Sequence, residues 1–177
     1  MTTRVAFLRA VNVGKRTVKM ARLAEIVRDL GHEDVWTHIN SGNVVFEATG
    51  SRDDLEQALE QAFEDDFGFE TTTFVRSAAE LRRTMAAEPF AVSPGDTYFI
   101  TFLKDVPSTG DRAALEALSN DMDKLVVQGR DVHWRMHGKS TDTTLGTKVW
   151  ADIVGARRST SRNTTMLRKL LEKIDSS

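Results

Sequence analysis

Between Arg4 and Arg76 the apolar pattern switches from strand to helix and back twice, and the order of those switches admits few folds. Arg4 to Leu8 is a short apolar run of strand formers. From Met20 to Leu30, the residues Met20, Leu23, Ile26, Val27 and Leu30 recur at helical spacing until Gly31 ends them. Val35 to Ile39 and Val44 to Glu47 read as two strands joined by Asn40-Ser41-Gly42-Asn43, residues that supply the positive φ of a hairpin turn. Ser51 and Asp54 have the spacing of a helix cap, and Leu55, Ala58, Leu59, Ala62 and Phe63 form one face before Gly68 stops the helix. Glu70 to Arg76 then alternates as a strand. The order is βαββαβ, the split βαβ of ferredoxin-like domains.

Ser77 with Glu80 opens another capped helix, carrying Leu81 and Met85, and the stretch from Pro89 to Asp96 reads as a linker. From Thr97 the order repeats. A strand Thr97–Leu103 precedes a helix capped at Ser108, with Ala114, Leu115 and Leu118 inward; strands Leu125–Gln128 and Val132–Met136 flank a turn containing Gly129. Leu145, Val149 and Ile153 follow at successive i+4 positions, then Gly155, a polar strand near Ser159–Arg162, and a last helix bearing Leu167, Leu170, Leu171 and Ile174. The expected fold is α+β: two ferredoxin-like (βαββαβ) subdomains over residues 1–90 and 91–177, the second with a terminal helix. The repeat is one of element order and not of letters, and it predicts that the two halves superpose.

With 177 residues, 40% hydrophobic and 28% charged, the chain is long enough to bury a full core. It has no cysteine, which excludes a disulfide, a thiolate nucleophile and a thiolate metal site. The longest apolar runs are far too short to cross a bilayer, and the chain starts on a strand-like segment instead of a basic stretch followed by an apolar one, so the expected location is the cytoplasm. A net charge of −2 exerts no long-range pull on nucleic acid. The local charge is uneven: six basic and no acidic residues lie from Arg4 to Arg22, and eight acidic and no basic residues from Asp53 to Glu70. Runs of this kind are usually solvated faces.

Arg9-Ala10-Val11-Asn12-Val13-Gly14-Lys15 leaves the first strand and opens towards a helix start near Met20, so it can present backbone N–H groups and positive charge to a phosphate or carboxylate. It lacks the GxGxxG spacing of dinucleotide sites. Gly138-Lys139-Ser140 is not a P-loop, because His133 stands where that motif requires glycine. Chain direction relates the first loop to the hairpin. Strand one runs up, its helix returns the chain, strand two also runs up, and the hairpin after it therefore lies at the same end as the loop after strand one. That argument gathers Arg9, Asn12, Gly14, Lys15, Asn40, Ser41, Gly42 and Asn43 as candidate ligand-binding residues, against the plain reading of the last four as turn formers.

His38 with Ser41 lacks a third catalytic partner, so no catalytic residue is assigned. His133 and His137 share a strand face with Arg135, a poor neighbour for a metal cation, and no metal site is expected. Trp134 and Met136 alternate with Val132 as core residues. Before the last helix, Asn163 or Thr164 reads as the N-cap and Arg162 as a surface residue. A repeat of the first half would let this segment fold back against the other half, so Arg162 and Asn163 join the candidate ligand residues.

The segments Phe7 to Gly14, Met20 with Leu23, Thr37 to Phe46, and Phe67-Gly68-Phe69 to Val75-Arg76 resemble the bacterial domain-of-unknown-function family numbered 1697. The run Ser41-Gly42-Asn43-Val44-Val45-Phe46 is the most specific part. The likeness covers the first ninety residues well and is looser beyond. In the family's tail pattern Thr160, Arg162 and Asn163 match, whereas Thr164 stands where tryptophan is common and Thr165 and Met166 also depart. The resemblance implies two ferredoxin-like subdomains. It implies no reaction, cofactor or catalytic residue, and the absent tryptophan argues against an aromatic stacking on a ligand at that point.

Three functions are therefore in play: binding of a small anionic or phosphorylated ligand in a polar pocket, nucleic-acid binding on an open sheet with Phe7 and Phe46 as outward aromatics, and a structural or protein-interaction role. Whether the protein is an enzyme, and with what cofactor, is left open by the residues.

Overall fold

The computed structural model describes residues 1–9, 17–39 and 41–177. The chain divides into two compact units, Met1–Leu81 and Arg82–Ser177.

In the first unit β1 (Thr2–Leu8), β2 (Glu33–Thr37), β3 (Asn43–Ala48) and β4 (Thr73–Ser77) pair antiparallel in the order β2-β3-β1-β4. Strand β3 is inserted between β1 and β2, which is the split βαβ arrangement. The intervening helices are α1 (Met20–Asp29) and α2 (Arg52–Phe67). Ser51 caps α2 by accepting the Asp54 N–H at 3.1 Å, and Gly68 closes it in the left-handed region at φ 78°, where a Cβ would be strained. Alternate strand residues Ala6, Leu8, Val44, Phe46 and Val75 pack with Leu23 and Val27 of α1 and Leu59 and Phe63 of α2. Burying a side chain such as Phe63 completely contributes about 2–3 kcal/mol.

The other set of alternating residues, Val5, Phe7, Val45 and Phe74, is buried too. Phe7 and Phe46 are both fully buried, which corrects their reading as outward aromatics. A central strand with a continuous apolar run places residues of both faces out of solvent, whereas a clean alternation would leave one face wet.

Helix α3 (Ala78–Ala87) runs across the division between the units. Its start is a reciprocal capping box: Glu80 N–H donates to Ser77 Oγ at 3.0 Å, and Ser77 N–H donates to Glu80 Oε2 at 2.7 Å.

The second unit repeats the strand order. Strands β5 (Thr97–Leu103), β6 (Asp123–Gln128), β7 (Asp131–Met136) and β8 (Ser159–Asn163) form an antiparallel sheet of order β6-β7-β5-β8. Helices α4 (Thr109–Glu116) and α5 (Thr147–Val154) are the crossovers, and α6 (Thr164–Ser176) ends the chain. Val132, Trp134 and Met136 join Leu103, Leu115, Leu125 and Trp150 in one core, as their alternation implies. On α5 the fully committed residue is Trp150, whereas Val149 and Ile153 are half-buried.

Within this core the Asp123 carboxylate, 1% exposed, accepts the Trp134 indole N–H at 2.8 Å and the Thr143 hydroxyl at 2.9 Å on one oxygen, and the Asn120 amide at 3.2 Å on the other. One buried acid therefore ties together β6, β7 and two connecting loops. Of the stretch from Pro89 to Asp96, Phe90 lies edge-on to Tyr98, and the Arg135 guanidinium sits 5.6 Å from the Phe90 ring centroid, whereas residues 91–95 are exposed. Asp96 bonds His137 Nδ1 at 2.8 Å, and that contact, together with the Ser93 N–H, holds its carboxyl below the usual range.

Candidate functional site

Backbone hydrogen bonds hold the end of β1 from both sides. Phe7 pairs with Asn43, Leu8 pairs with Thr73, and the Leu8 N–H donates to the Gly42 carbonyl at 2.8 Å. The Arg9 N–H donates to the Thr72 carbonyl at 2.9 Å. The start of Arg9 is thus held on one side next to the hairpin and on the other by the segment entering β4. The hairpin, the exit of β1 and the approach to β4 share one edge of the sheet.

The hairpin itself is built by its own polar groups. Asn43 is fully buried, and its amide nitrogen donates to the His38 carbonyl at 2.9 Å and to Ser41 Oγ at 2.8 Å. The His38 N–H donates to the Asn43 carbonyl at 3.0 Å. Gly42 takes φ 78°, as a glycine turn allows, and Ile39 takes φ 52°, which a β-branched residue adopts at a cost. Ile39 is also 54% exposed. Asn43 is therefore engaged in shaping the turn, and Ser41 is the exposed polar side chain that the turn presents.

Arg9 is half-buried. Asn12, Gly14, Lys15 and Asn40 lie outside the described residues. Thr71 and Thr72 did not stand out in the sequence because β-branched residues before a strand look like the strand itself. The strand begins only at Thr73, and the two threonines form the approach to it. Thr73 Oγ1 donates to the Thr71 carbonyl at 3.1 Å, whereas the buried Thr71 hydroxyl has no hydrogen-bond partner among the described residues.

The two charge runs meet at the same end of this unit. Arg22, in the first turn of α1, donates from Nε to both oxygens of Asp66 at 3.1 Å and from Nη1 to Glu25 at 2.9 Å. Asp66 lies in the last turn of α2. The bond from Asp66 raises the Arg22 pKa, and the guanidinium lowers that of the Asp66 carboxyl. Asp53, Asp54, Glu64 and Asp65 of the acidic run are exposed, and the Arg22–Asp66 pair joins the two runs.

Arg162 and Asn163 belong to the second unit. Asn163 is the N-cap of α6, accepting the Thr165 N–H at 2.8 Å, while the Thr164 hydroxyl instead donates to the Tyr98 carbonyl at 3.0 Å. Arg162 is a correction: it is only 8% exposed, and its guanidinium donates to Thr160 Oγ1 at 2.9 Å and to the Ser161 carbonyl at 3.0 Å. A polar strand looks like surface when its partners are hydroxyls and carbonyls of the same strand. Burial pushes its pKa down to about 10, so it is still protonated at neutral pH.

Among the described residues there is no group of three or more His, Asp or Glu able to hold a metal ion. His133 is engaged with Tyr98 and Gln128, and His137 with Asp96. No helix among the described residues is long and apolar enough to cross a membrane.

Two four-stranded antiparallel sheets of identical strand order define a mixed α+β protein of two ferredoxin-like subdomains. The chain belongs to the family described as Protein of unknown function (DUF1697), whose model matches residues 1–133, as the Ser41–Phe46 run implies. Among solved structures it is similar to the conserved bacterial protein SP0830 from Streptococcus pneumoniae, with 24% identity, a TM-score of 0.80 and 99% of each chain covered. At that identity the likeness is one of fold. No curated protein matches the chain.

Proposed function

We propose that the first unit binds a small anionic ligand, most simply a phosphorylated one, at the rim where β1 ends, and that it does so in a bacterial cytoplasm. Arg9 and Lys15 supply charge, Asn12, Asn40 and Ser41 supply orientation, and Gly14 and Gly42 allow backbone N–H groups to approach the anion. Asn43 acts one step back, by holding Ser41 in place. The observation that carries this reading is the pair of backbone bonds from Leu8 to Gly42 and from Arg9 to Thr72, which brings three connections to one edge. The nucleic-acid alternative is weakened by the burial of Phe7 and Phe46, since single-stranded bases need exposed rings to stack on. The test is a thermal-shift screen of phosphorylated metabolites against the intact chain. A metabolite that raises Tm in the parent protein and not in Arg9→Ala or Lys15→Ala supports the site. A screen without a hit, or a shift unchanged in both variants, removes it.

A further inference from the structure

Next to that rim, between the start of α1 and the end of α2, lies a cavity of about 310 Å³ whose lining includes Thr17, Lys19, Arg22, Asp66, Phe67 and Phe69. Its walls differ in chemistry. On one side Phe67, which stacks on both Phe63 and Phe69 with ring centroids 5.5 and 5.6 Å away, and Phe69 itself are half-buried and packed against the core of the unit, so their exposed atoms give the cavity an aromatic wall on a fixed base. On the other side α1 begins at Lys19 with no side-chain cap and no acidic residue in its first turn. Among the described lining residues the one carboxylate, Asp66, is matched by Arg22, and Lys19 adds a further positive charge. A third feature is Thr71, two residues from Phe69 and next to Thr72: it is 3% exposed, and among the described residues its hydroxyl has no hydrogen-bond partner. An unpaired buried hydroxyl is costly, and such groups call for a reason.

We infer that the ligand is an anion attached to a flat, apolar ring, the ring lying against Phe67 and Phe69 and the anionic group between the start of α1 and Arg9. This rests on the reading of the rim as an anion site and names the class of molecule it takes. A bare phosphate has no use for an aromatic wall, whereas the cavity is at the lower end of the roughly 300–1,000 Å³ that small-molecule sites occupy, with the expected mixture of apolar wall and a few convergent polar groups. Stacking rewards a ring of any identity, and Lys19 and Arg9 select the charge.

Calorimetric titration of the full chain with inorganic phosphate, glycerol 3-phosphate and phenyl phosphate separates this inference from the reading beneath it. Phenyl phosphate is expected to bind about tenfold more tightly than glycerol 3-phosphate, and Phe69→Leu to abolish that preference while phosphate affinity stays as it was. Retained phosphate binding also shows that the variant is folded; if it is lost, Phe67→Leu takes its place in the same comparison. Equal affinity for the two esters, with both weakened in Arg9→Ala, overturns the aromatic inference and leaves the anion site standing. A preference for phenyl phosphate that survives both phenylalanine substitutions overturns the inference as well. No binding of any of the three overturns both.

Discussion

The Glu56 carboxylate, on α2 and 3% exposed, accepts the N–H of Val75 at 2.9 Å. Val75 is on β4, an edge strand, so this N–H points away from β1 and would otherwise be free to receive another chain. The second sheet treats its own edge alike: on β6 the Val127 N–H donates to Glu116 at 3.2 Å and the Leu125 N–H to Ser119 Oγ at 3.0 Å. At the far edge of the first sheet, Arg28 donates to the Val35 carbonyl at 2.9 Å. Side chains from the neighbouring helices or the loops next to them thus occupy outward groups of the edge strands β2, β4 and β6.

Replacing Glu56 by alanine strands a buried donor and is expected to lower stability by about 2 kcal/mol. Glu116→Ala is expected to cost less than about 1 kcal/mol, because Glu116 is partly exposed and water can take its place. Urea unfolding of the two variants measures both, and equal losses would contradict the distinction.

Asp123→Ala is expected to be among the most damaging single changes in the second unit, at about 3 kcal/mol, since it leaves the Trp134 indole and the Thr143 hydroxyl without their acceptor and takes one of two acceptors from the Asn120 amide. Asp123→Asn keeps an oxygen for Trp134 and Thr143 and should lose less. The same unfolding experiment, followed through tryptophan fluorescence, ranks the two; a milder effect of the alanine change would refute the account.

Burial lowers the pKa of His133, with Asp131 opposing. With Gln128 Oε1 against Nε2 at 3.0 Å, the neutral ring carries its proton there and Nδ1 accepts from the Tyr98 hydroxyl. In the unfolded chain the imidazole takes up a proton near its ordinary value of 6.5, while in the folded protein it does so only at lower pH. Between those values the unfolded state binds more protons, so this contribution is complete above about pH 7 and falls away as the pH drops through 6.5 towards the folded value. His32 is lowered by burial as well and acts in the same direction. His133→Gln should therefore flatten, without abolishing, the decline in stability on acidification, as measured by urea unfolding across that range; an unchanged slope would speak against it.

Ile39→Asn should raise stability by about 1 kcal/mol. The residue sits at φ 52° and is exposed, so asparagine relieves a left-handed strain and loses little packing. A lower Tm in the variant would show that Ile39 makes a contact worth more than its strain.

The helices were legible because their signals are local. Ser51, Ser77 and Ser108 each stand three residues before the N–H they accept, and Gly68 marks a stop that only the following φ requires. The rim was legible by chain direction, without any contact being visible in the letters. What escaped depends on partners distant in sequence: Asp123 beside Trp134 and Thr143, Glu56 beside Val75, and the buried place of Arg162 all need the sheet before they mean anything. Phe7 failed for a related reason, since one apolar run cannot say whether a second face is also out of water.

The carbonyls of Gly42 and Thr72 grip successive amides at the last step of a central strand, so the backbone of Arg9 takes its place from the sheet and owes nothing to the length of the chain that follows it. Insertions or deletions after Arg9 would leave that backbone anchored, so the connection beyond it can change in length and sequence without moving the end of β1.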